Sequence, residues 1–272
     1  MATSALRVGI PTIVWNRTPE ATRDLAELGA EVAETAANAA SRAAIVVTMV
    51  TDADAVISIA RDEGMLGALA PSAIWVQMST IGVRGIERVV ELVEKERPDI
   101  TLLDAPVSGS KDPAEQGQLT IFASGPDEAR EPVAPLFAAL GQRTIWVGPV
   151  GAGTRLKIVN NTWLAFAAEA IAASVALARR LGLETARVVE TLEDGPLVSA
   201  WQAAKLQRIL KDDFSAQFAL SLALKDVHLA LEVADGFDAL GCLADEWQRA
   251  VDQGFGNQDI TVVTRALEGG TR

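Results

Sequence analysis

One stretch limits what this chain can become more than any other. Between Gly153 and Gly182 the sequence contains neither proline nor glycine and is rich in Ala and Leu, so Gly151–Leu183 reads as one long helix with a glycine stop. Near its start stand Lys157, Asn160 and Asn161. Residues four apart on a helix lie one above the other, which places Lys157 and Asn161 on one face among apolar neighbours. An ammonium beside a carboxamide can protonate a carbonyl oxygen while the amide orients it. The same pair reads equally as a surface lysine with a helix-start asparagine. The apolar part of the helix, Trp163–Ala178, is shorter than the ~20 residues a membrane span needs and carries Glu169, so a helix buried between domains or subunits is expected.

At 272 residues the chain is long enough for one large domain or two ordinary ones. The single Cys242 excludes a disulfide framework, and with only His228 beside it no zinc centre or other metal site is expected. MATSALRVGI lacks the charged start, apolar stretch and cleavage site of a secretory signal, and the expectation is a cytoplasmic protein in a reducing compartment. A formal charge of −12 disfavours nucleic acid and anionic membranes as partners. An anionic substrate must therefore be drawn in by local cations such as Arg155, Lys157 and Lys225.

Up to residue 150, β-rich runs alternate with helical patterns. LRVGIPTIVW, AAIVVTMV, SAIWVQMS, DITLLDAPV, LTIFASG and RTIWVG read as strands. PEATRDLAELG, DADAVISIA, GVRGIERVVELVEKE and PDEAREPVAPLFAALG read as helices between them. Beyond residue 150 the patterns are helical throughout: TARVVETLED, LVSAWQAAKLQRIL, FALSLALKDVHLALEVAD, LGCLADEWQRAVDQG and DITVVTRALEG follow the long helix. The expected fold class is α/β plus all-α. An incomplete Rossmann-type, doubly wound parallel sheet fills a nucleotide-binding domain over 1–150, and an all-helical domain follows over 151–272, joined by the long helix.

A dinucleotide domain of this kind carries a glycine fingerprint after its first strand, and none is present here. Gly9 leads through Pro11 straight into Thr12–Trp15, too short a connection for two parallel neighbours, so LRVGI and TIVW read as one continuous or proline-bent strand. The G-x-x-G-x-G of Gly148–Gly153 lacks the Lys-[ST] of a phosphate loop and reads as a glycine-rich turn between domains. After TIVW comes Asn16-Arg17-Thr18, where an arginine suits a ribose 2′-phosphate and hence NADP; a solvated arginine before a helix capped by Thr18 is the other reading. Later strand ends carry Thr51-Asp52, for which helix capping is favoured, and Ser79-Thr80, which face the ligand crevice or cap a helix. In Asp104–Gly125, a buried strand ends at Pro106-Val107, and Ser108-Gly109-Ser110 leaves N–H groups and hydroxyls for a carboxylate, or forms only a tight turn. Lys225-Asp226 is an ion pair or part of a site.

These residues together amount to a resemblance. DAPVSGS with a following GQLTI, GAG-x-x-x-K-x-x-x-N opening a long helix, and Lys225-Asp226 in a later one resemble the β-hydroxyacid dehydrogenase family. SGSK-x-PAE-x-GQL, from Ser108 to Leu119, is most similar to its glyoxylate/succinic semialdehyde reductase branch. The resemblance implies an NADP-dependent oxidoreductase that interconverts a small hydroxy acid with its aldehyde or keto acid. Lys157 would be the general acid and base. Asn161, Ser108, Gly109, Ser110, Phe218 and Asp226 would bind the substrate, a small carboxylate. Asn16, Arg17, Thr18, Met49, Val50, Thr51, Thr80 and Lys225 would bind the cofactor. The chain would be a homodimer, or a dimer-based oligomer, through its helical domain. An imine reductase usually replaces the lysine retained here as Lys157. Family members place a G-x-G-x-x-G loop and a helix between the strands that here read as fused, and losing that cradle costs cofactor affinity; about 3 kcal/mol is more than a hundredfold. The alternative is a catalytically impaired relative that has lost the dinucleotide and serves as a dimeric binding or interaction protein.

Overall fold

The structure is a computed structural model that describes residues 1–193 and 195–269. Asp194, to which the helical pattern TARVVETLED extends, and residues 270–272 lie outside them. The chain forms two compact units, Met1–Lys157 and Ile158–Arg272, and the long helix begins in the first and continues into the second.

In the first unit α1 (Ala2–Arg7) precedes β1 (Ile13–Val14), α2 (Arg23–Glu27), β2 (Glu31–Val32), α3 (Ala36–Ala40) and β3 (Ile45–Thr48). Then come α4 (Ala53–Arg61), α5 (Met65–Ala68), β4 (Ile74–Gln77), α6 (Gly82–Glu96), β5 (Thr101–Asp104) and β6 (Val107–Ser108). The unit closes with α7 (Lys111–Gln116), β7 (Leu119–Ala123), α8 (Arg130–Leu140), β8 (Gly141–Trp146) and the start of α9 (Ala152–Arg180).

Strands β3, β4 and β5 form a parallel sheet in that order, and β1 pairs with β2, also in parallel, as a separate two-stranded sheet. A third sheet has β7 antiparallel to β6 and parallel to β8. It is joined to β5 through paired backbone bonds between Asp104 and Ser124, N–H to O at 3.0 and 2.8 Å. All four residues of β4 are buried, because both faces of the sheet are covered. Trp75 points to one side with Val56, Ile86 and Val89 of α4 and α6. Ile74 and Val76 point to the other with Val133 and Phe137 of α8. This is the doubly wound arrangement that the alternating pattern implies.

The start of the chain differs from its reading as a bent strand. Residues Ala2–Arg7 are helical, and only Ile13–Val14 of LRVGIPTIVW is strand. Gly9, at φ +80°, ends the helix, with Ile10 N–H donating back to Ala5 O at 3.0 Å. Ser4, buried on the inner face, donates to Ala114 O at 2.8 Å and so docks α1 beside α7. A short, largely apolar run such as LRVGI does not by itself separate strand from helix, and here Leu6–Arg7 close a helix stopped at Gly9. A helix therefore does stand ahead of β1, and what residues 1–272 lack is a glycine fingerprint.

The second unit consists of the remainder of α9 with α10 (Thr185–Glu193), α11 (Ala200–Leu210), α12 (Leu220–Leu231), α13 (Asp238–Ala250) and α14 (Val263–Gly269). Its core takes Ile158, Ala165, Ala168, Ala172 and Val175 from α9, spaced as one face of a helix, and sets them against Leu206, Leu224, Leu243 and Trp247. By length and composition α9 is apolar enough to cross a membrane; its apolar face is used as the core of this unit. Its other side leaves Val159, Trp163, Phe166 and Leu177 exposed, Trp163 by 78%. Phe218 lies ahead of α12 rather than on it, because Ala219 is extended and bridges to Asp259.

Candidate active site

The site is built from the start of α9 outward. Gly153 packs so closely on the sheet that a Cβ there would lie 2.2 Å from Phe122 O and 2.8 Å from Asp104 O. Its N–H donates to Ser124 Oγ at 2.9 Å. Thr154 donates from N–H to Asp104 Oδ2 and from Oγ1 to Asp104 Oδ1, both at 2.7 Å. The free N–H groups of the helix terminus are thus bound by a buried carboxylate and hydroxyl. This explains Gly153, in the first turn of α9, as a packing requirement, and it leaves that helix start closed to phosphate. One turn on, Lys157 is held with only 9% of its surface exposed. Arg155, read as a possible substrate-attracting cation, instead pairs with Glu87 at 3.2 Å.

Neither Asp104 nor Ser124 stands out as functional in the sequence. The signal was a lone carboxylate inside the apolar strand TLLDAPV, a charge that must find donors when buried.

The strand ends of the first unit carry the residues expected at the cofactor. Asn16 Oδ1 accepts from Thr18 N–H at 2.8 Å, and Thr18 enters a 3₁₀ turn with Pro19 first; its hydroxyl makes no capping bond, and Arg17 is exposed. Met49, Val50 and Thr51 follow β3, and Val50 N–H donates to the buried Ser79 Oγ at 2.7 Å. Gln77 holds Ser79 from both sides, accepting from its N–H at 2.7 Å and donating to its carbonyl at 2.9 Å. The loops after β3 and β4 are therefore tied together, with Thr80 half-buried beside them. Asp52 caps α4, accepting from Ala55 N–H at 2.8 Å, which makes Thr51-Asp52 a capping pair in its second residue.

The serine turn needs a correction. β5 ends at Asp104, and Val107–Ser108 is a strand of its own in register with Ile121 and Thr120, so the Ser108 backbone belongs to the sheet. Gly109, at φ +134°, then turns the chain into α7, and a side chain there would meet Leu119 Cδ2 at 2.7 Å. Ser110 takes the N-cap position of α7 without a side-chain capping bond. What remains for a ligand is the Ser108 and Ser110 hydroxyls and the turn at Gly109.

In the second unit, Asn161 Nδ2 donates to Asp226 Oδ2 at 2.5 Å and Asn160 Nδ2 donates to Asn161 Oδ1 at 3.0 Å. The carboxamide orientation is thereby set. Lys225 Nζ lies 2.8 Å from Asp226 Oδ1 but off a hydrogen-bonding direction, so this buried oxygen keeps an unmatched acceptor. Phe218 is half-buried against the helical core.

One buried carboxyl and one part-buried carboxyl give the units an unusual pH response. Burial pushes Asp104 up to about 6, against the opposing bonds from Thr154 and Ser124. Burial likewise pushes Glu169 up to about 7; Trp247 Nε1, donating at 2.7 Å, opposes the rise and the neighbouring Glu246 adds to it. A carboxyl whose folded pKa lies above its unfolded value stabilises fully below the unfolded pKa, and that stability is lost as pH rises through the folded value. For Asp104 the window runs from 3.8 to about 6. The change is about 3 kcal/mol. Denaturation midpoints are expected to fall across this window, and Asp104→Asn is expected to flatten the fall; an unchanged slope in the variant would contradict the assignment.

Comparison with known proteins defines the class. Residues 1–148 match the family model of the NAD binding domain of 6-phosphogluconate dehydrogenase, and residues 151–267 match that of the NAD-binding domain of NADP-dependent 3-hydroxyisobutyrate dehydrogenase. The chain is thus an NAD(P)-dependent oxidoreductase of the class acting on hydroxyl groups. It is 28% identical to glyoxylate/succinic semialdehyde reductase 1 of Arabidopsis thaliana, over 98% of this chain and 94% of that one. It is 30% identical to the NAD-dependent L-serine dehydrogenase of Pseudomonas aeruginosa, over 98% and 93%. In fold it matches 3-hydroxyisobutyrate dehydrogenase from Salmonella typhimurium with a TM-score of 0.86, at 24% identity over 97% and 94% of the two chains. The chain belongs to the β-hydroxyacid dehydrogenase family.

Proposed function

We propose that this chain is an NADPH-dependent reductase of small aldehyde or keto acids, of the glyoxylate/succinic semialdehyde type. The observation that carries the reading is Lys157, a lysine taken out of water one turn after a helix start fastened by Asp104 and Ser124. Asn161 follows one turn later, its amide already oriented by Asp226.

The residues at the strand ends suit a dinucleotide in part. Arg17 is an exposed cation after β1 for a 2′-phosphate, and the linked loops holding Met49, Val50, Thr51 and Thr80 follow two neighbouring parallel strands, where such ligands bind. A glycine loop for the pyrophosphate is not among these residues.

When bound, NADPH supplies a hydride. Lys157 gives its proton to the carbonyl oxygen as that oxygen gains charge, and takes it back in the oxidative direction. Asn161 donates to the same oxygen and fixes its direction. The Ser108 and Ser110 hydroxyls and the Gly109 turn hold the substrate carboxylate, Phe218 and Asp226 bind the substrate, and Lys225 binds the cofactor. The exposed Val159, Trp163 and Phe166 on α9 support self-association of the helical unit as a homodimer.

The test is reduction of succinic semialdehyde and of glyoxylate with NADPH and NADH by wild type and Arg17→Ala. Wild type is expected to turn over faster with NADPH. Arg17→Ala is expected to raise KM for NADPH by about tenfold, a loss of about 1.4 kcal/mol, and to leave NADH unchanged. Equal effects on both cofactors would make Arg17 structural, and no turnover with either would remove the enzymatic reading.

A further inference from the structure

A second buried polar cluster lies in the helical unit, and it acts on the segment that carries Phe218. Asp259 has no exposed surface, and Lys205 is 3% exposed. Lys205 Nζ lies 2.8 Å from each Asp259 oxygen and donates also to Gln217 Oε1 at 3.2 Å. Asp259 Oδ2 accepts the N–H groups of Gln217 and Phe218, at 3.0 and 3.2 Å. Its Oδ1 accepts Thr261 N–H and Oγ1, at 3.3 and 3.0 Å. Ile260 N–H closes the ring by donating to Phe218 O at 2.9 Å. Both backbone groups of Phe218 are therefore bound. One turn along α11, Arg208 bonds Ser215 and pairs with Asp213, holding the other end of the same segment.

A buried ion pair is a poor source of stability, because desolvating two charges offsets most of their attraction; an apolar pair of similar size would serve as well. What an apolar pair could not do is accept two adjacent backbone N–H groups and so dictate one conformation of Gln217–Phe218. The structure assigns Lys205 and Asp259 as positioning residues: through the Gln217 and Phe218 amides the pair sets where the Phe218 ring stands and where α12, with Asp226, begins. This rests on the reading that Phe218 and Asp226 meet the substrate.

Single replacements leave a lone buried charge and risk unfolding, so the test compares two charge-neutral pairs that differ only in the acceptor. Lys205→Met with Asp259→Asn keeps an oxygen for the backbone amides, and Lys205→Met with Asp259→Ala removes it. Each is measured for amide exchange at Gln217 and Phe218 and for kcat and KM with succinic semialdehyde and NADPH, beside Phe218→Ala. The alanine pair is expected to lose local protection and to raise KM by about tenfold with kcat held within about threefold, while the asparagine pair stays within about threefold in both. Equal KM values for the two pairs in an active enzyme would overturn the proposal alone. A wild-type KM in Phe218→Ala, or absence of turnover in the wild type, would overturn it by removing the reading beneath it.

Discussion

Lys157→Ala is expected to lower kcat and kcat/KM together by about 10² to 10⁴, the range a positioned proton donor contributes, while the fold and cofactor affinity stay as they were. The reason lies in how the lysine is held. It is nearly buried, and the helix bearing it starts on bonds to Asp104 and Ser124 that leave little freedom of placement. Its loss removes an interaction made as charge develops on the carbonyl oxygen, so the effect belongs in kcat rather than in KM alone. Steady-state kinetics with succinic semialdehyde and NADPH, with circular dichroism as a control for folding, measure this. A variant turning over at the wild-type rate would take the proton transfer away from Lys157.

Gly153→Ala is expected to be the most disruptive single methyl in the first unit. The added carbon would lie 2.2 Å from Phe122 O and 2.8 Å from Asp104 O, and both are backbone atoms that cannot swing aside. Overpacking of a tight site costs about 1 to 3 kcal/mol, and a clash with sheet backbone belongs at the upper end of that range or beyond. A drop in melting temperature of roughly 10 °C follows for a domain of this size. Gly241→Ala, on α13 with nothing within 4 Å of the new carbon, is the matched control and should melt at or slightly above the wild-type temperature. Equal melting of the two variants would mean that α9 does not sit on the sheet as described.

Much of the architecture was legible in the sequence, because parallel strands buried on both faces read as apolar runs and the helices between them carry their own period. The long helix was readable from composition alone, and the shared face of Lys157 and Asn161 from its periodicity. Other features were hidden for physical reasons. The two residues of β2 carry no pattern, and Leu6–Ile10, apolar but for Arg7, suits helix and strand alike. Ser108 enters the sheet only because Thr120, on another strand, lies beside it. The acceptors of the Thr154 and Gln217 amides stand 50 and 42 residues away in sequence, so neither the helix anchor at Asp104 nor the clamp at Asp259 is local information. Asn161 and Asp226, 65 residues apart, were each noticed for their residue type, whereas their contact required the fold.

The most direct measurement is a calorimetric titration of this 272-residue chain with NADPH. Saturable binding is expected, and weaker binding in Arg17→Ala. No heat of binding at millimolar NADPH would contradict the proposed reductase and leave Lys157 with no hydride to follow.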